Sequence, residues 1–217
     1  MLMNLIEKLK EAVIAGDRDE AIKISREIVD KGLDPLEALE RGLVAGVLEV
    51  GEKWVREEVF LADLVMSAEA MKAASEVLKP EIIKRGKVVK KLGKVVIGTV
   101  AGDIHDIGKN IVATMLEASG FEVVDLGVDV PTETFIEKVR ELKPDVLGLS
   151  ALLTTTMLEQ KNVIEALKRE GLRNKVKVIV GGAPVTEEWA KSIGADGYAE
   201  DAIRAVRLVK KLLGLEG

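Results

Sequence analysis

The stretch KVVIGTVAGDIHDIGKNIV, residues 94–112, holds three kinds of text in a row. VVIGTV is a short β-branched run, GDIHDIG is too rich in glycine and aspartate to continue it, and a helical pattern opens at about Lys109. The loop contains His105, the one histidine of the 217-residue chain, between Asp103 and Asp106 and shortly before Gly108. A strand passing to a helix through such a loop is the repeating unit of a parallel α/β sheet.

The unit recurs to the end of the chain. FEVVDLG precedes a helix after Pro131, DVLGLSA a helix through Ile164, KVIVGG a helix from about Thr186, and a short ADGYA the last helix. Five such runs predict a flavodoxin/Rossmann-like, doubly wound α/β domain over residues 94–217, with a five-stranded parallel sheet in the order 2-1-3-4-5. Ligands of this architecture meet the carboxyl ends of the strands, where the winding reverses. GDIHDIG, SALLTTT (residues 150–156) and GGAP (residues 181–184) follow strands one, three and four, so all three are expected on one edge.

Before residue 87 the text is helical. Leu5, Leu9, Ala12 and Val13 form one apolar stripe, and Asp17 caps a second helix carrying Ala21, Ile24 and Ile28 and closed by Gly32. Asp34-Pro35 opens a third with Leu36, Leu39, Leu43 and Val47. A fourth is expected from about Leu61 to Leu78, ending at Pro80. These make an N-terminal four-helix bundle over residues 1–86. The basic, glycine-containing segment around residues 87–93 reads as a linker.

Composition narrows the chemistry. With no cysteine, disulfides, iron–sulfur clusters, thiolate zinc sites and cysteine nucleophiles are excluded. A single histidine excludes multi-histidine metal sites. The net charge of −5, with 32 basic residues interleaved among 37 acidic ones, gives no footprint for nucleic acid. No apolar run approaches the roughly 18 residues of a membrane span, and the first residues lack the order of a signal peptide, so a cytoplasmic protein is expected.

The loop after strand one is no nucleotide fingerprint, because G-x-G-x-x-G is missing and two aspartates stand where a phosphate would approach. Its chemistry is that of an imidazole held by a carboxylate. In D-x-H, Asp103 can bond one ring nitrogen, fix the tautomer and make the other nitrogen a better metal donor. One imidazole does not hold a bare ion, but it can be the axial ligand of a metal already held by a macrocycle.

D-x-H-x-x-G (Asp103, His105, Gly108), then S-x-L (Ser150, Leu152), then G-G (Gly181, Gly182) resembles the cobalamin-binding signature of corrinoid proteins. GDIHDIGKNIV resembles in particular the corrinoid proteins of methanol and methylamine methyltransferase systems and the cobalamin-binding region of methionine synthase. The resemblance covers nearly the whole chain, since those proteins also place a helical bundle before the α/β domain. It implies that cobalamin is the cofactor, methylcobalamin when loaded, with His105 as the axial ligand of cobalt in the base-off/His-on state. It further implies that Asp103 bonds His105, and that Thr156 completes the relay where methionine synthase has serine. Gly102, Asp106, Ile107, Gly108, Ser150, Leu152, Thr154, Gly181, Gly182 and Ala183 would bind the cofactor. In the bundle, GEKWVREEVFLADLVMSAEAM (residues 51–71) resembles the family's cap, in which Phe60, Leu64, Ser67 and Met71 would share one face. The alternative for Phe60, Leu64 and Met71 is ordinary bundle core, and for Ser150 and Thr154 the capping of the next helix.

The function implied is a non-catalytic methyl carrier cycling between Co(I) and methyl-Co(III). A substrate-specific methyltransferase would load it, a methylcorrinoid:acceptor methyltransferase using a thiol or a tetrahydropterin would unload it, and a reductive activase would restore it. Neither nucleic acid nor a membrane is an expected partner. Two alternatives are a cobalamin-dependent sensor and the small subunit of a mutase. The sensor would carry a DNA-binding domain ahead of the bundle and Glu-His ten and eleven residues after the cap tryptophan; Leu64 and Val65 stand there relative to Trp54. The mutase shares D-x-H-x-x-G but suits this helical cap less well.

Overall fold

The computed structural model describes residues 2–85 and 91–215. The expected linker, residues 87–93, falls largely on residues 86–90, which lie outside them. The chain divides into two compact units, residues 1–90 and 91–217.

The first unit is helical. Helices α1 (Leu2–Ile14) and α2 (Arg18–Asp30) are followed by one continuous helical run, α3 (Pro35–Ala38), a π-helical turn (Leu39–Val44) and α4 (Ala45–Val55), and then by α5 (Leu61–Lys84). Asp17 accepts from the Glu20 N–H and Asp34 from that of Leu36, so both expected N-caps form. Leu9, Val13, Ile28, Leu43, Val47, Leu78 and Ile82 have no exposed surface, and each contributes about 1.5–3 kcal/mol by leaving water. Nothing in the sequence marks the π turn, because Leu36, Leu39, Leu43 and Val47 keep ordinary helical spacing.

Helix α5 corrects one expectation: it runs through Pro80 to Lys84. Proline removes the N–H that Glu76 would have accepted, but Pro80 and Glu76 are both exposed, so water can satisfy that carbonyl. Beyond it Ile82 is fully buried, and Arg85 bonds the carbonyl oxygens of Gly32 and Leu33 at 3.3 and 2.9 Å. Burial and this tie outweigh the lost bond.

The second unit is a five-stranded, all-parallel sheet in the order β2-β1-β3-β4-β5. The strands are β1 (Lys94–Thr99), β2 (Glu122–Asp125), β3 (Val146–Ser150), β4 (Lys177–Gly181) and β5 (Gly197–Tyr198). They alternate with α6 (Ile107–Ala118), α7 (Thr132–Leu142), α8 (Met157–Arg169), α9 (Glu187–Ile193) and α10 (Ala202–Leu212). Val96, Leu147, Leu149, Val178 and Val180 share a core with Phe135 and Val139 of α7 and Ile164 and Leu167 of α8. Side chains alternate across a strand, so Val95 and Ile97 face the opposite way, the side taken by α6 and α10. The apolar, β-branched runs become strands because both faces are covered.

Register sets the height of the loops. Thr99 pairs with Ser150, and Ser150 pairs with Gly181. Strands β1, β3 and β4 therefore end level, and the loops after them leave from one edge. No helix among the described residues is long and apolar enough to cross a membrane.

Candidate functional site

The site is built around a buried carboxylate. Asp103, fully buried, follows Gly102, whose φ of +78° suits glycine. The Gly102 N–H donates to Asp129 Oδ1 at 2.7 Å, and the Asp129 N–H donates to the Asp103 carbonyl oxygen at 2.8 Å. Thr99 Oγ1 donates to the His105 carbonyl oxygen at 2.9 Å. Bonds from β1 and from the segment after β2 thus fix the loop.

Each Asp103 oxygen accepts two bonds. Oδ1 takes the His105 backbone N–H at 3.0 Å and His105 Nδ1 at 2.7 Å. Oδ2 takes the Leu152 N–H at 2.7 Å and Thr156 Oγ1 at 2.7 Å. Burial by itself pushes the Asp103 carboxyl up, but bonds from the Thr156 hydroxyl, the Leu152 and His105 N–H groups and the His105 ring prevail, holding it well below the usual carboxylate range. An ionised carboxylate only accepts, so the proton between it and the ring belongs to Nδ1. That leaves Nε2 with its lone pair and no hydrogen-bond partner among the described residues, on a side chain 47% exposed. Ile104 and Ile107, both 74% exposed, flank it in sequence.

Thr156 is also the N-cap of α8, yet its hydroxyl caps no backbone N–H of that helix. Neither Ser150 nor Thr154 caps it, contrary to the capping alternative. Ser150 is half-buried at the end of β3, while Leu152 and Thr154 are exposed in the following loop. At the end of β4, Gly181 accepts the Ala151 N–H at 3.1 Å. Gly182 has a φ of +124°, and a Cβ there would lie 1.8 Å from the Ala151 carbonyl oxygen. Ala183 is exposed beside it. Beneath these loops the fully buried Gln160 donates to the carbonyl oxygens of Leu149 and Gly181, at 3.0 and 3.1 Å, and accepts from Trp189 Nε1 at 3.0 Å.

Asp103, His105, Leu152 and Thr156 are thus in direct contact, while Gly102, Asp106, Ile107, Gly108, Ser150, Gly181, Gly182 and Ala183 occupy the same edge. In the helical unit, three of the four residues expected on one face, Leu64, Ser67 and Met71, share a buried face of α5, and Phe60 departs from it. Phe60 is the residue before α5 and 83% exposed, whereas Leu64, Ser67 and Met71 are buried. Leu64 and Met71 are core residues of that unit, held inside by the same apolar packing that makes the bundle. Sequence reasoning overlooked Gln160 and the burial of Lys109. A cation in the first turn of a helix, against the macrodipole, is the signal that could have exposed the second.

Among the described residues no group of three or more His, Cys, Asp and Glu side chains could hold an ion, so His105 suits a metal whose other ligands come with it. Gly108 lies in the first turn of α6 with no positive φ, and a Cβ there would meet nothing within 4 Å. No neighbour among the described residues requires glycine at this position.

Two family models, each described as a B12 binding domain, match residues 93–207 and 5–79. A corrinoid protein of Desulfitobacterium hafniense (strain Y51) is 50% identical over 215 residues, 99% of this chain and all of that protein. The trimethylamine corrinoid protein of Methanosarcina barkeri is 51% identical over 211 residues, 97% of each. Among solved structures, the methanol:cobalamin methyltransferase complex MtaBC of Methanosarcina barkeri contains a chain matched with a TM-score of 0.86 and 33% identity, covering 97% of this chain and 80% of that one. The chain belongs to the B12-binding family of corrinoid proteins.

Proposed function

We propose that the chain is the methyl-carrying corrinoid subunit of a methyltransferase system, with His105 Nε2 as the axial ligand of the cobalt. The observation that carries this reading is the 2.7 Å contact of His105 Nδ1 with a fully buried, four-bonded Asp103. The contact orients the ring and leaves its second nitrogen open at the switch point. A bound corrinoid would supply a metal centre able to take up and release a methyl group.

The chain's own residues do three things. Asp103 and Thr156 keep His105 in the Nδ1–H tautomer, so that Nε2 would be the nitrogen that holds the cobalt. Gly108 leaves space beside the ligand loop, and Gly181, Gly182, Ser150 and Thr154 line the neighbouring edge. Phe60 is the one of the three bundle candidates exposed for contact with a ligand or partner. A trimethylamine corrinoid protein among the relatives and a methanol:cobalamin methyltransferase complex among the solved structures support a substrate-specific methyltransferase as a partner; in this reading a methylcorrinoid:acceptor methyltransferase would unload the carrier and a reductive activase would restore it.

Reconstitution of the purified chain with hydroxocobalamin, beside His105→Ala, tests the reading. The expected result is a retained corrinoid whose visible spectrum shows ligation that the variant lacks. Absence of retained corrinoid in both folded proteins would overturn it.

A further inference from the structure

Lys109 lies four residues after His105, in the first turn of α6, and its side chain is 1% exposed. A cation there opposes the positive end of the helix dipole, and an ammonium is tolerated inside a protein only when paired and fully bonded. The partners are present. Its Nζ donates to Asp125 Oδ2 at the end of β2 and to Asn110 Oδ1 at 2.7 Å. Asp125 Oδ1 accepts the Gly127 N–H at 2.9 Å, which holds the carboxylate in place.

The network continues toward the ligand loop. Asn110 Nδ2 donates to Asp106 Oδ2 at 3.0 Å. Asp106 is the N-cap of α6, a position where aspartate ordinarily accepts a backbone N–H of the first turn, yet its side chain caps none. It is turned to Asn110 instead. A chain of directed bonds therefore runs from the residue beside His105, through Asn110 and Lys109, to the end of β2. The loop is held at Asp103 from the β3 side and at Asp106 from the β2 side, with His105 between.

We propose that Lys109, with Asn110 and Asp125, forms a clasp that sets the His105 loop in its ligating geometry before the corrinoid arrives. Lys109 is a positioning residue: it acts on the metal site through Asn110 and Asp106. Outer partners of this kind typically change ligand affinity about 10- to 100-fold when removed. The inference rests on His105 being the ligand.

Two variants of the full chain separate positioning from simple support. Asn110→Ala removes an exposed side chain and cuts the tie to Asp106 while leaving the buried ion pair intact. Lys109→Met with Asp125→Asn removes the pair without stranding a charge and keeps an acceptor for Gly127. Each is made with and without His105→Ala, and all are titrated with hydroxocobalamin by absorbance beside thermal unfolding. With His105 present, the expected result is affinity weakened about 10-fold and a partial loss of the His-dependent spectrum. Without His105, the clasp variants should cost little further affinity, because their effect passes through the ring. Equal losses with and without His105, or affinities within about twofold of the parent, would overturn the inference alone. Equal binding by the parent protein and His105→Ala would instead remove the ligand reading and the clasp with it.

Discussion

Thr156 Oγ1 donates to Asp103 Oδ2 at 2.7 Å, joining residues 53 positions apart in sequence. Both are buried, and both belong to loops leaving the level ends of neighbouring strands. Together with the Leu152 N–H on the same oxygen, the bond sutures the loop after β1 to the loop after β3. The orientation of His105 is therefore a tertiary property, although Asp103 and His105 are near neighbours in the chain.

Replacing Asp103 by asparagine keeps the shape but presents an NH2 group to donors where an acceptor is required. The expected cost is about 2–3 kcal/mol of unfolding free energy, read as a lower urea midpoint at unchanged slope. The His105 ring should also lose its single tautomer, which 15N NMR of the corrinoid-free protein would report.

At Thr156 the hydroxyl matters more than the methyl. Thr156→Ser should cost under about 1 kcal/mol and keep His-dependent corrinoid binding. Thr156→Ala should cost about 1.5–3 kcal/mol, the range for a bond to a charged group. Equal urea midpoints for the two variants would contradict this.

Two glycines should respond in opposite directions. Gly108→Ala is expected to stabilise the corrinoid-free protein by about 0.5–1 kcal/mol, since alanine suits a helix and nothing obstructs its Cβ, while weakening corrinoid binding by filling the space. Gly182→Ala combines a strained φ with a Cβ set against the Ala151 carbonyl oxygen, and should cost about 3 kcal/mol or more. Thermal unfolding with and without hydroxocobalamin distinguishes the two cases.

Gln160→Leu would strand the Trp189 indole N–H and remove a donor from the carbonyl oxygens of Leu149 and Gly181. A loss of about 2–3 kcal/mol is expected, measured by urea unfolding.

The sheet was legible because its strands are covered on both faces, which forces runs such as KVIVGG into apolar, β-branched text. The D-x-H loop was legible because its carboxylate and imidazole are two residues apart. Less visible were features set by distant partners. Lys109 looks like an ordinary surface lysine until the fold brings Asp125 to it. Gln160 becomes a junction only when β3 and β4 lie side by side. Helix α5 passes Pro80 because Ile82 finds a buried place, a fact of packing. For Phe60, Leu64 and Met71, helical spacing alone did not reveal which way the start of α5 turns them.

The suture between Asp103 and residues 152 and 156 also orders events in time. At about 5–20 residues per second, Thr156 is synthesised roughly 3–10 s after Asp103. During that interval the nascent chain already carries its one histidine, with neither the hydroxyl nor the Leu152 N–H in place to hold Asp103. The support that orients the His105 ring is thereby postponed until the third strand has been made and docked, so a truncated translation product would carry the D-x-H text without its orientation.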